Sequence, residues 1–148
     1  MNICSLEVND PAWTETLRGL PHETYQRPEY VALEARRTCS LPRAMRLTDD
    51  SGQKVLFLPY LLRDCGEVEP SITPGTVWDV VSPYGYPGYL FNAAARQDPD
   101  FRRRALEDLL GHWRAEGVCS AFLRLNPILN DDTSELNELA CQLTTSQT

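Results

Sequence analysis

The sequence predicts an α+β domain in which helices pack on a mixed sheet. Three observations point there. Two extended runs flank Asp49-Asp50-Ser51-Gly52, a hairpin signature that implies antiparallel pairing. A strand–helix–strand unit over residues 76–125 implies a parallel crossover. Two further segments open with a proline at the first helical position and then carry apolar residues at helical spacing. The expected order is β-α-α-β-β-β-α-β-α in one domain over residues 1–143, followed by a short disordered tail over 144–148.

Taken in order, "ICSLEV" is a short first strand. In "NDPAWTETLRGLP", Asp10 caps, Pro11 opens, and Trp13, Leu17 and Leu20 share one helical face. "RPEYVALEARR" repeats the device with Pro28 at the start and Tyr30, Val31 and Ala35 recurring. The run "KVLFLPYLLR" is apolar throughout and so calls for burial on both faces. Pro59 inside it donates no ladder hydrogen bond, which implies an edge or a bulge. "TVWDVV" is another strand. "DPDFRRRALEDLLGHWRAEG" is the clearest helix: Asp98 caps, Gly117 closes, and Phe101, Leu106, Leu109, Leu110 and Trp113 form its apolar stripe. "VCSAFLRLNP" is a short apolar strand stopped by Asn126-Pro127, and "DDTSELNELACQL" suits a last amphipathic helix with Leu136, Leu139, Ala140 and Leu143 inward.

Composition bounds the function. The 148 residues carry a formal net charge of −7, which speaks against a nucleic-acid surface, since phosphate neutralisation needs clustered Lys and Arg. The arginine run 102–104 and the pair Arg36-Arg37 are the local exceptions, each equally at home on a solvated helix face. Five scattered cysteines without a CxxC pair, and only two histidines, speak against zinc and a disulfide framework. With no signal-peptide pattern and no apolar stretch near membrane-span length, the expected compartment is the cytoplasm.

The stretch with most chemistry is "DVVSPYGYPGYLF", Asp79 to Phe91. It lies where a crossover strand ends and the next helix approaches, the place where open sheets bind ligands. Gly85 and Gly88 permit close backbone approach, Pro83 and Pro87 stiffen the loop, and Tyr84, Tyr86 and Tyr89 supply rings and hydroxyls. Arg124 and Asn126 end the neighbouring strand and face the same crevice. Two readings stand side by side. In one, Tyr84, Gly85, Tyr86, Gly88, Arg124 and Asn126 line a substrate site, with Asp79 and Tyr86 as candidate catalytic groups. In the other, the loop is a rigid plug and Arg124 pairs with a carboxylate such as Asp79. Ser82, Cys119 and Ser120 have no His and acid at readable spacing, and no Walker or GxGxxG loop occurs.

Together, "TYQRPEYVAL", "LPYLLR", "DVVSPYGYPGYLF" and "SAFLRLNPIL" resemble the N-terminal half of FemAB-like proteins, within the GNAT acyltransferase superfamily. The resemblance spans roughly residues 10–130 and implies a GNAT-like, incomplete sheet. It implies an N-acyltransferase domain that binds a small-molecule or peptide amine acceptor. Acyl-CoA is then a transient co-substrate rather than a bound cofactor, with aminoacyl-tRNA as the other donor. It also implies completion by a second domain, a partner chain or a homodimer mate. One departure stands out. GNAT enzymes hold the donor pyrophosphate with a glycine-rich loop entering the helix, and "FNAAARQDPDF" contains no glycine. That departure favours a rival, a non-catalytic binding module. An apolar face left exposed on 55–62 or 118–125 would favour a third reading, half of a longer two-domain transferase.

Overall fold

The computed structural model describes residues 1–130, 133–136 and 139–140. Among them six strands form one open mixed sheet and four helices pack on it. The elements are β1 (Asn2–Leu6), α1 (Pro11–Arg18), α2 (Pro28–Thr38), β2 (Leu41–Thr48), β3 (Val55–Asp64), β4 (Trp78–Val81), β5 (Leu90–Phe91), α3 (Ala93–Arg96), α4 (Pro99–Ala115) and β6 (Val118–Phe122). The strand order is β1-β2-β3-β4-β6, with β5 paired to β3. All pairs are antiparallel except β4–β6, the parallel pair joined through α4.

Local chemistry accounts for the starts and stops. Asp10 accepts the Ala12 amide at 2.8 Å ahead of Pro11, and Asp98 accepts the Phe101 amide at 2.9 Å ahead of Pro99. Gly117 follows α4 at φ +82°, a conformation that suits glycine at a helix end. The β2–β3 turn is held by Asp49, whose Oδ1 accepts the Lys54 amide at 3.0 Å, while Gly52 sits at φ +72°.

Period-two alternation splits the core between the two faces of the sheet. Leu56, Leu58 and Tyr60 join Met45, Leu47, Phe101, Leu109 and Trp113 beneath α3 and α4. Phe57 and Leu61 join Ala44, Trp13, Leu17, Val31 and Ala35 beneath α1 and α2. Strand β3 is thus covered on both faces, as its apolar run requires, and each fully buried Leu or Phe contributes about 1.5–3 kcal/mol.

Three features differ from the sequence reading. Strand β5 and the four-residue α3 interpose between β4 and α4. The run read as one strand over 118–125 is regular only to Phe122, and Cys119 to Phe122 are exposed. The last helix is replaced, where described, by a single 3-10 turn at Ser134–Leu136, with Leu139 and Ala140 amides bonded back to the Leu136 carbonyl. Leu143, Cys141 and the tail 144–148 lie outside the described residues.

Candidate functional site

The site begins with a split in one strand edge. Leu61 pairs with Val81 of β4 and Phe57 pairs with Leu90 of β5, so Leu58, Pro59 and Tyr60 face an excursion, Ser82–Tyr89. The Val55 amide and carbonyl both bond Asn92 on this edge, and the Cys65 amide bonds Val77 there. Alternation therefore turns the nitrogen of Pro59 toward the same edge. The missing donor lies where no ladder partner exists, so the proline costs the sheet nothing and marks where the chain leaves it.

The excursion alternates in burial. Pro83, Gly85, Pro87 and Gly88 are buried, whereas Tyr84 is 66% and Tyr86 54% exposed. Gly85 is at φ +87° beneath the Tyr25 ring, and a Cβ there would run into that ring. Gly88 is at φ +56°, where a Cβ would collide with Asn130 Oδ1. Both glycines serve close backbone packing rather than ligand approach.

Side-chain amides fix the loop from below. Gln26, wholly buried, donates from Nε2 to the Pro87 carbonyl and accepts the Glu23 amide at 2.8 Å. Asn126 donates to the Tyr86 carbonyl at 3.0 Å and to Glu23 Oε2 at 2.9 Å, while its Oδ1 accepts the Ile128 and Leu129 amides. Asn130 donates to the Tyr89 carbonyl at 2.8 Å and accepts the Asn126 amide at 3.0 Å. Every polar atom of the Asn126 side chain is engaged, so it positions the loop and has no group left for a ligand.

Helix α2 holds the loop from the side. Tyr30 donates to the Tyr84 carbonyl at 3.1 Å, with its ring edge-on to Tyr25 at 5.5 Å. Glu34 is buried beside it and takes Arg37 at 2.8 Å. The Arg37 guanidinium, aided by the Tyr84 amide, holds this carboxyl below the usual carboxylate range against burial. Burial pushes the Tyr30 phenol up, with Glu34 acting in the same direction, so it remains a hydrogen-bond donor.

Strand β6 brings the rest. The Ser82 amide bonds the Phe122 carbonyl, Ser82 Oγ accepts the Arg124 amide at 2.9 Å, and the Gly88 amide bonds the Arg124 carbonyl. These bonds set Tyr84 and Tyr86 beside the chain that carries Phe122 and Arg124. Phe122 is 58% exposed, and the Arg124 guanidinium lies over its ring at 5.6 Å. Arg124 does not pair with Asp79. Asp79 is taken instead by Arg63 on β3, with both carboxylate oxygens engaged and Nε–Oδ1 at 2.7 Å. The predicted positions lie along the loop Ser82–Tyr89 and the chain bonded to it, with their roles divided. Tyr84, Tyr86 and Arg124 are exposed; Gly85, Gly88 and Asn126 build the frame; Asp79 is paired with Arg63.

Helix N-termini nearby are already occupied. Asp98 caps α4 and also pairs with Lys54, and Asn92 caps α3 with Oδ1 on the Ala95 amide at 3.0 Å. The positive end that would attract a pyrophosphate holds a carboxylate of the chain itself. The arginine-rich runs are also engaged: Arg37 with Glu34, Arg102 with Glu135, and Arg104 with the Asp100 carbonyl.

A separate cleft of about 280 Å³ lies between α1 and the hairpin turn, lined by Glu15, Thr16, Arg46, Thr48, Gly52 and Asn92 among others. None of the predicted site residues lines it. Arg46 went unnoticed in the sequence because, between Met45 and Leu47, it reads as ordinary strand alternation. The contributions of Tyr30 and Glu34 were hidden for a different reason, since they act from a helix more than forty residues earlier in the chain. Among the described residues no group of three or more His, Cys, Asp or Glu is placed to hold a metal, and no helix is long and apolar enough to cross a membrane. No family model, curated protein or solved structure matches this chain.

Proposed function

We propose that the chain is a FemAB-like domain of GNAT type that holds an amine-bearing acceptor for acyl transfer. The acceptor lies across Tyr84, Tyr86 and Arg124. The carrying observation is that two exposed tyrosine rings and an exposed guanidinium, lying over the Phe122 ring, belong to one hydrogen-bonded frame at the parallel seam of the sheet. Aromatic faces attract an ammonium group, and a guanidinium takes a carboxylate in a bidentate grip. A small peptide or amino acid carries both. The sheet order and the helix between the parallel strands agree with the GNAT resemblance.

In this reading the carbonyl of an acyl-CoA or aminoacyl donor is attacked, its C–S or C–O bond breaking to release coenzyme A or the tRNA hydroxyl, by the neutral acceptor amine. Its proton leaves through water, because Asp79 is tied to Arg63. A second domain, a partner chain or a second copy then completes the donor side. The capped termini of α3 and α4 favour a second reading, a binding module without a donor site of its own.

Titration calorimetry of the purified chain with acetyl-CoA and with triglycine separates the two. Binding of both supports a transferase. Triglycine binding alone, weakened about tenfold or more by Arg124→Ala, supports the acceptor module. A folded chain that binds neither overturns the proposal.

A further inference from the structure

Cys65 and Cys119 come together from opposite sides of β4. Cys65 follows β3 directly, with its amide on the Val77 carbonyl, and Cys119 is the second residue of β6. Their sulfurs are 3.9 Å apart. A disulfide needs an S–S length of about 2 Å, so closure asks for an approach of about 2 Å between the turn after β3 and the edge strand β6. Cys119 is exposed and Cys65 half-buried.

We propose that Cys65 and Cys119 form an oxidation site, which a hydroperoxide converts into a disulfide tying the end of β3 to the edge strand β6. The exposed Cys119 sulfur attacks the peroxide; the O–O bond breaks, giving a sulfenic acid and one water. Cys65 sulfur then attacks the sulfenic sulfur, the S–OH bond breaks, and a second water leaves with the remaining thiol proton. Two thiols lose two electrons and the peroxide gains them. Desolvation and the Cys119 thiol, with Asp79 and Asp64 acting in the same direction, push the Cys65 thiol up, which suits the resolving rather than the attacking role.

The location gives the bond a mechanical effect. The β4–β6 ladder is a short parallel run with a register shift between Trp78 and Asp79, and β6 has no second strand partner among the described residues. A bond from Cys65 to Cys119 spans this seam and pins β6 to the interior of the sheet.

The test is to treat the reduced full chain with an equivalent of hydrogen peroxide and digest it with trypsin without reductant. The expected product joins peptide 64–96 to peptide 115–124, and Cys65→Ser abolishes it and leaves Cys119 as the sulfenic acid, which dimedone traps. Amides of 118–122 should exchange at least about tenfold more slowly after oxidation and recover with dithiothreitol. Linkage only to Cys4 or Cys39, or only between chains, overturns the pairing. Unchanged exchange in a correctly linked chain overturns the mechanical effect.

Discussion

Strands β3 and β6 both read as apolar runs, "VLFLPYLLRD" and "VCSAF", yet they end in opposite environments. Strand β3 has strand neighbours on both edges and helices on both faces, and most of its residues are buried. Among the described residues strand β6 pairs only with β4, and four of its five residues are exposed. An apolar run specifies extended backbone. How much of it is covered depends on where the connections deliver it, and a strand reached last through a crossover helix lands on an edge.

The sharpest way to break this comparison is to delete the same ring from each strand. Phe57→Ala, beneath Trp13 at a centroid distance of 5.8 Å, should cost about 3–5 kcal/mol in urea denaturation. Phe122→Ala should change stability by less than about 0.5 kcal/mol. A large loss at Phe122 would mean β6 is covered in solution. The next effect tests the frame between the strands. Gly88→Ala should cost about 2–3 kcal/mol, because a positive φ and the Asn130 contact both oppose a Cβ. Gly52→Ala, also at positive φ but with open space around it, should cost about 1 kcal/mol.

Smaller and dependent on pH is Glu34→Gln, with an expected cost of about 1 kcal/mol at neutral pH since Arg37 is largely solvated. The folded carboxyl is depressed below its unfolded value of about 4.3, so its stabilisation is complete above that pH. It fades as pH falls through the folded value, and the two stability curves should converge there. The least effect on folding is expected at Tyr86→Ala and Arg124→Ala, within about 0.5 kcal/mol by thermal denaturation, since both side chains are exposed. A loss of several kcal/mol at Arg124 would return it to a structural role.

What was legible follows the range of each interaction. Asp10-Pro11, Asp98-Pro99 and the Asp49–Gly52 turn act within a few residues, and the structure has them as read. Pro59 was readable only in part: a missing donor implied an edge or a bulge, whereas β3 is an interior strand in continuous register with β2, and only its other ladder is interrupted opposite Pro59. The pairing of Asp79 was not readable. Arg63 and Arg124 are equally charged, and only the register of β3 against β4 brings Arg63 opposite Asp79. Likewise Asn126 reads as a free amide at a strand end until Glu23, from the segment before α2, is brought beneath it. Strand β5 is two residues long and too short to announce itself.

The excursion Ser82–Tyr89 leaves and rejoins the same edge of β3, opposite Leu61 and Phe57, anchor points about 13 Å apart. Both anchors belong to one strand, so neither end drifts when the middle is altered. Its inward positions 83, 85, 87 and 88 are fixed by packing, whereas 84 and 86 face water. Variation can therefore accumulate at 84 and 86 with little thermodynamic penalty, and preference for a new ligand can be acquired there without re-solving the fold.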